Sequence, residues 1–106
     1  MPAKYRVEIA RTAEDDVEDI WSFIAQDGRD EADRFVHELG RQLITLERFP
    51  ERCPLAPENE LLGTRYRHLI YGDYRTIFRI AGRTVLVLRI VHGARLLDSS
   101  MLDRRP

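Results

Sequence analysis

The stretch that decides the fold runs from Arg65 to Arg95 and reads RYRHLIYGDYRTIFRIAGRTVLVLRIVHGAR. It contains three runs rich in Tyr, Ile, Val, Thr and Phe, which are the residue types that favour β-strands. The runs are separated by Gly72-Asp73 and by Ala81-Gly82-Arg83, and glycine supplies the positive φ that tight turns need. The stretch therefore predicts three consecutive strands joined by two tight turns.

Alternation along these strands predicts which side chains share a face of the sheet. In the second run, Arg75, Ile77 and Arg79 are predicted to point away from Thr76 and Phe78. In the third run, the alternation predicts two sets: Leu86, Leu88, Ile90 and His92 against Val85, Val87, Arg89 and Val91. We expect one face to be fully packed and the arginine-bearing face to be open, or covered by a partner.

A strand and two amphipathic helices are predicted before this stretch. Residues 5–9 alternate between apolar and polar side chains, which indicates a short strand. Thr12 is the predicted N-cap of a first helix, and Gly28 is predicted to end it. Its apolar stripe has helical spacing and comprises Val17, Ile20, Trp21 and Ile24.

The second helix is predicted to begin at Asp30 and to end at Pro50. Its apolar stripe comprises Ala32, Phe35, Val36, Leu39, Leu43 and Leu46. Gly40 lies inside it, either to let the first helix approach closely or as a tolerated defect.

The predicted fold is a two-layer α+β domain with the order β-α-α-β-β-β. The short link from Asp27 to Asp30 predicts an antiparallel helical hairpin, packed on a mainly antiparallel four-stranded sheet. Residues 50–63 contain three prolines and are predicted to form an irregular connection. Residues 96–106 are predicted to begin a short helix and to end in a polar tail.

Length and composition predict a single domain over residues 1–106, since domains typically span 50–250 residues. No apolar run approaches the roughly 20 residues of a membrane helix, and the N-terminus lacks the apolar segment of a signal peptide. Cys53 is alone, so no disulfide can form within the chain. These features predict a cytoplasmic protein with no membrane association.

The charge is unevenly distributed along the chain. Residues 1–63 hold eight basic and fifteen acidic residues, whereas residues 64–95 hold seven arginines and one aspartate. The strand region thus carries +6 in a chain whose net charge is −1. This asymmetry indicates either a site for an anionic partner or partial neutralisation of the two halves within the fold.

Arginines of the strand region are the main candidates for chemistry. The sequence has no phosphate-binding glycine loop and no Cys/His ligand set, so neither a cofactor nor a metal is predicted. The planar guanidinium suits phosphates and carboxylates. The candidate residues, four of which the alternation places on the open face, are Arg67, Arg75, Arg79, Arg89, Arg95 and His92. The alternatives are that the arginines pair with Glu8, Asp73 or tail carboxylates, and that His92 only packs.

Four stretches resemble the RelE/ParE family of toxins from type II toxin–antitoxin (plasmid stabilisation) modules. They are YRVEIARTAEDDVEDIWSFIA, LERFPERC, YRHLIYGDYRTIFRI and VLRIVHGAR, at residues 5–25, 46–53, 66–80 and 87–95. No single piece is very specific, but their order and spacing together are strongly suggestive. The resemblance covers nearly the whole chain and implies the family's fold.

The resemblance leaves the target of the toxin open. RelE-like members cleave messenger RNA on the ribosome, and their pattern implies catalytic roles for Arg67, Arg75 and Arg95, with His92 as a further candidate. Two positions of that pattern depart, since an expected lysine is near Leu69 and an expected tyrosine is Met101. ParE-like members generally lack this set and inhibit DNA gyrase. We therefore favour a growth-arresting gyrase inhibitor, with RNA cleavage and a degenerate, non-toxic homologue as alternatives.

The family resemblance also implies a cognate antitoxin that folds onto the toxin. Several apolar residues lie off the helical stripes or in the connection: Phe23, Ile44, Leu55, Leu61 and Leu62. Exposed apolar patches mark interfaces, so we predict that an amphipathic helix or an added strand of the antitoxin covers these residues. The alternative is that they complete the core beneath the connection.

Overall fold

The computed structural model describes residues 4–97 and contains four strands and three helices within them. Their bounds are β1 Arg6–Ile9, α1 Arg11–Ala25, α2 Arg29–Ile44, α3 Asn59–Leu62, β2 Arg67–Tyr71, β3 Tyr74–Ala81 and β4 Thr84–His92. The predicted α+β architecture is confirmed, and α3 is a short addition inside the connection. The predicted helix start and tail lie almost wholly outside the described residues.

The four strands form one mixed sheet in the order β1-β4-β3-β2. β2, β3 and β4 pair antiparallel through tight turns, whereas β1 pairs parallel with β4 at the edge. Positive φ at Gly72 and Gly82 lets these two turns form. Along the chain, the helical hairpin of α1 and α2 lies between β1 and the other three strands.

A β-bulge in β4 makes the predicted faces of that strand wrong. Ile77 pairs with Arg89 while the next residue, Phe78, pairs with Val87, so Leu88 has no opposite residue. An extra residue shifts the alternation by one position. Val87 therefore packs on the helix side together with Ile90. The simple alternation had placed these two side chains on opposite faces of the sheet.

The start of the first helix and both ends of the second differ from the prediction. α2 begins at Arg29 rather than Asp30, and Gly28 is its N-cap rather than the residue that ends α1. Ala10 occupies the N-cap of α1, and the hydroxyl of Thr12 donates instead to the carbonyl of Leu88 at 2.9 Å. α2 ends at Ile44, and the residues predicted to form its last turn are in a 3-10 turn, Thr45–Glu47. Phe49 then adopts the left-handed conformation, with φ 49°, directly before Pro50.

The chain itself covers the centre of the face opposite the helices, so the prediction of an open face is wrong there, whereas Arg79 and Ile70 on that face stay exposed. The helix side holds the main core of Ala13, Ile20, Leu39, Leu43, Leu46, Cys53, Phe78, Val85, Val87 and Ile90. On the opposite side, Ile77, Val91 and Leu97 form a second cluster against Leu62 and Tyr66. The proline-containing connection and the segment after β4 therefore take the place that a partner was expected to fill.

Substitution of Gly40 by alanine is expected to stabilise the protein by about 1 kcal/mol. A Cβ atom at Gly40 would meet nothing within 4 Å, so the glycine allows no close approach and only costs helix stability. Urea unfolding followed by circular dichroism measures the change. A loss of stability would show that α2 needs glycine at this position.

Candidate functional site

Arg75 of β3 lies in a buried ion pair with Glu58 of the connection. Only 4% of the Arg75 side chain and 1% of the Glu58 side chain are exposed. The Nη1 atom of Arg75 donates to Oε1 of Glu58 at 3.2 Å, and Nη2 donates to Oε2. This two-point pairing engages both Nη groups of the guanidinium, whereas the buried Nε has no hydrogen-bond partner among the described residues. Arg75 therefore presents almost no surface to solvent.

The same ion pair joins the connection, two strands and the segment after β4. Arg75 Nη1 also donates to Nδ1 of His68 on β2 at 2.8 Å, and Nη2 donates to the carbonyl of Arg95 at 2.7 Å. The backbone N–H of Leu97 donates to Glu58 Oε2 at 3.0 Å. We call these five residues the Arg75 network.

Burial and charge act on the two titratable partners of Arg75. Burial alone raises the pKa of the Glu58 carboxyl, but hydrogen bonds from Arg75 and from the N–H of Leu97 outweigh it, and the net shift is downward. Burial and the nearby charge of Arg75 lower the pKa of His68, against a smaller upward effect of Glu58. His68 is therefore neutral at neutral pH, as its role as a hydrogen-bond acceptor requires.

Acidification is expected to destabilise the protein through His68. Because the pKa of His68 is lower in the folded state than its ordinary 6.5, the unfolded chain binds the proton more readily. Stability therefore falls as the pH drops below about 6.5, whereas the lowered pKa of Glu58 acts only below its ordinary 4.5. We expect His68→Asn, which keeps an acceptor but cannot titrate, to lose less stability between pH 7.5 and 5.5. Urea unfolding at both values measures this, and equal losses would exclude His68.

A second ion pair holds Arg89 of β4 against α1. Arg89 Nε and Nη2 donate to the two carboxylate oxygens of Asp16 at 2.7 and 2.8 Å. The backbone N–H of Ile90 donates to the same carboxylate at 2.8 Å. The hydrogen bond from Asp16 raises the pKa of the Arg89 guanidinium. Arg89 is thus part of the contact between helix and sheet.

Arg67 faces the opposite side of the sheet from Arg75. It pairs with Phe78 of the main core, and its Nη1 donates to the carbonyls of Glu51 and Cys53 at 3.1 and 2.6 Å. It borders a cleft of about 400 Å³ that Arg65 also lines. The interpretation that Arg67, Arg75, Arg79 and Arg89 share one open face is therefore wrong.

The remaining candidates lie at the surface. Arg79 on β3 and Arg95 after β4 are both exposed. His92 is also exposed, and its ring lies 5.8 Å from that of Tyr74 in an edge-on contact. The structure thus places two of the six predicted residues, Arg75 and Arg89, in a buried and a partly buried ion pair. Arg67 is bound to carbonyls, and the other three side chains are exposed. Residues 4–97 contain no group of three His, Cys, Asp or Glu side chains arranged to hold a metal ion.

Comparison with known proteins decides the family. The sequence profile of the ParE toxin of the type II toxin–antitoxin system parDE matches residues 7–97. The chain belongs to the ParE toxin family. No curated protein has a significantly matching sequence.

Two solved structures share the fold of this ParE-family chain. A chain of the chromosomal ParDE toxin–antitoxin system from P. aeruginosa is 21% identical with a TM-score of 0.68, covering 84% of this chain and 96% of its own length. A chain of the toxin–antitoxin complex RelBE2 from Mycobacterium tuberculosis is 24% identical with a TM-score of 0.63, covering 85% and 99%. This chain therefore shares its overall fold with both structures.

Glu58 and Asp16, the acidic partners of the ion pairs, were missed by sequence reasoning. The sequence left open that Arg75 and Arg89 form ion pairs, but the carboxylates considered were Glu8, Asp73 and those of the tail. The two pairs nevertheless confirm that the acidic and basic halves partly neutralise each other. A signal existed for Asp16, since it follows Ala13 and precedes Ile20 on the inner face of α1. No pattern marked Glu58, which lies among prolines.

Exposed apolar side chains remain on the ParE-family domain. The exposed fractions are 65% for Phe23, 61% for Ile44, 59% for Leu55 and 85% for Leu61. Leu62 differs, because it packs against the second cluster. The core alternative is therefore correct for Leu62 and wrong for the other four. Phe49 and Ile70, at 69% and 61%, were not singled out from the sequence. Among the described residues, no helix is long and apolar enough to cross a membrane.

Proposed function

We propose that this chain is the toxin of a type II toxin–antitoxin module, that it acts in the cytoplasm, and that it inhibits DNA gyrase without catalysing a reaction. The supporting observation is the burial of Arg75, one of the two arginines that match the RelE-like cleavage pattern. Stabilising the charge of RNA cleavage requires donors that face the reacting phosphate. In this chain Glu58 already occupies the guanidinium of Arg75.

Electrostatics give independent support. Contacts with phosphates supply much of the affinity of RNA-binding proteins and depend on free basic side chains. The net charge of this chain is −1, and Asp16 neutralises a further arginine of the strand region, Arg89. A protein target places weaker demands on overall charge, because a few exposed arginines at an interface centre suffice.

Gyrase supercoiling, run beside primer extension on translated messages, tests this function. We expect the purified chain to inhibit supercoiling and to leave messages intact. Codon-phased cleavage of messages with normal supercoiling would contradict the proposal and favour the RNA-cleavage alternative. A folded chain that affects neither process, yet still binds an antitoxin, would indicate a non-toxic homologue.

Arg79 and Arg95 are the proposed contacts to the target, since both are exposed. We expect the Arg79→Ala/Arg95→Ala double variant to inhibit supercoiling at least tenfold less while its free energy of unfolding changes by less than about 0.5 kcal/mol. Arg34→Ala on α2, also at an exposed position, is the matched control and should remain active. Full activity of the double variant would exclude both residues.

A cognate antitoxin is the proposed partner, covering Phe23, Ile44, Leu55 and Leu61. Their exposure supports this, as does the presence of antitoxins in the systems from which both similar structures come. Co-expression with the neighbouring small open reading frame should give a tight complex that relieves growth arrest. Phe23→Asp or Leu61→Asp should weaken this complex more than it weakens the fold. A soluble and harmless monomer made without a partner would contradict the proposal.

A further inference from the structure

The cleft of about 400 Å³ lies at the end of the sheet where β2 begins. Arg67 pairs with Phe78 in the ladder between β2 and β3. The same register, continued by two residues, places Arg65 level with Ile80, and both of these side chains line the cleft together with Arg67. Leu55 of the connection forms a bridge with Arg67 and provides a further wall. The cleft thus combines two arginines with two apolar side chains.

The guanidinium of Arg67 is held in place without being neutralised. Its Nη1 donates to the carbonyls of Glu51 and Cys53, which carry no net charge. Its Nε and Nη2 donate to none of the described residues. They are not buried either, because Arg75 Nε is the only buried side-chain nitrogen or oxygen without a partner in that part of the chain. Arg67 therefore offers free donors from a fixed position, which reduces the entropy lost when an anion binds.

Arg65 gives the cleft a second positive charge. Within residues 4–97, its exposed side chain forms no ion pair. Glu51 is the single carboxylate among the described lining residues, and its Oε2 accepts a hydrogen bond from the hydroxyl of Tyr5 at 2.7 Å. That hydrogen bond lowers the pKa of the Glu51 carboxyl, and the charge of Arg67 acts in the same direction. Two arginines against one engaged carboxylate leave the cleft with a net positive charge.

A carboxylate on a protein side chain is the anion that suits these walls. The planar guanidinium pairs with a carboxylate through two parallel hydrogen bonds. Leu55, which is 59% exposed, and Ile80 offer apolar contact to the methylene groups that precede such a carboxylate. A nucleic-acid backbone instead presents a row of phosphates and binds best to many basic side chains along its path. One concave site in a chain of net charge −1 therefore favours an acidic protein segment.

We infer that this cleft binds a glutamate or aspartate side chain of the gyrase target. The carboxylate pairs with the free Nε and Nη2 of Arg67, Arg65 adds a further donor, and an apolar neighbour in the target packs on Leu55. Complementary charges of this kind speed association and select the partner. The inference rests on the proposed function and adds to it the position of a contact and the chemistry of the target surface.

Charge reversal at Arg65 tests the inference, with binding of the gyrase holoenzyme to the immobilised chain as the measurement. Because the Arg65 side chain is exposed, we expect Arg65→Glu to keep its melting temperature and to raise the Kd for gyrase at least tenfold. Arg65→Lys keeps the positive charge and should stay within threefold of the wild type. Arg34→Glu, the same change at an exposed position of α2, is the matched control and should stay within twofold. Equal weakening by Arg65→Glu and Arg34→Glu would overturn the inference.

A blocked Leu-Glu-Leu tripeptide probes the cleft of the wild-type chain without gyrase. At millimolar concentration it should shift the Nε–H resonances of Arg65 and Arg67 in a saturable manner, whereas Leu-Gln-Leu and a ten-nucleotide oligothymidylate should not. No shift with Leu-Glu-Leu, or a shift with the oligonucleotide alone, would overturn the inference. A wild-type chain that inhibits gyrase while Arg65→Glu binds gyrase equally well would also overturn it and would leave the proposed function intact. A wild-type chain that does not bind gyrase would overturn both.

Discussion

Glu58→Ala and Arg75→Ala are each expected to lower the free energy of unfolding by about 3–5 kcal/mol. Each substitution leaves the opposite charge buried, where only 1% or 4% of the side chain meets water. Loss of Glu58 also leaves the N–H of Leu97 without its acceptor, and loss of Arg75 removes the donor to the carbonyl of Arg95. Urea unfolding followed by circular dichroism measures both changes.

The matched control removes both charges together. In Glu58→Leu/Arg75→Met the buried volume is nearly kept and no unpaired charge remains, so we expect a smaller loss than in either single variant. Exposed Glu60→Ala, two residues from Glu58, should change stability by less than about 0.5 kcal/mol. A loss below about 1 kcal/mol for Arg75→Ala would contradict a structural role for the ion pair.

Asp16→Ala is expected to cost about 2–3 kcal/mol, the second largest effect. The substitution removes both acceptors of Arg89 and the acceptor of the Ile90 N–H at once. The cost stays below that at Glu58, because 11–16% of these two side chains is exposed and water replaces part of the lost interaction. Thermal or urea unfolding measures the difference.

Asp15 provides the control for Asp16 on the same helix. Its pair with Arg11 is 3.7 Å long and both side chains are mostly exposed, so Asp15→Ala should cost less than about 0.5 kcal/mol. Asp16→Asn keeps an acceptor for the Ile90 N–H and should cost less than Asp16→Ala. Equal small effects at Asp15 and Asp16 would show that the pair with Arg89 does not hold α1 on the sheet.

Element order and fold class were predictable from the sequence because their signals are local. The turns at Gly72 and Gly82 and the helical stripe through Ile20 each depend on residues a few positions apart. The β-bulge at Leu88 was not predictable, since an extra residue leaves no mark on an apolar run. One such residue reversed the expected faces at the end of β4.

The candidate site was harder to predict because its contacts are distant in sequence. Glu58 and Arg75 are 17 residues apart, and Asp16 and Arg89 are 73 apart. The alternation of side chains along β3 correctly places Arg75 and Phe78 on opposite faces of the sheet, but it does not show what covers Arg75. The fold of the proline-containing connection decides that.

Supercoiling inhibition by the folded Glu58→Leu/Arg75→Met variant tests most directly whether Arg75 is structural in this ParE-family chain. The variant lacks the arginine that matches the RNA-cleavage pattern, yet it keeps the exposed Arg79 and Arg95. We predict inhibition of gyrase within threefold of the wild-type chain, together with growth arrest on expression. A variant that folds like the wild type but neither inhibits gyrase nor arrests growth would contradict this, because Arg75 would then act on the target directly.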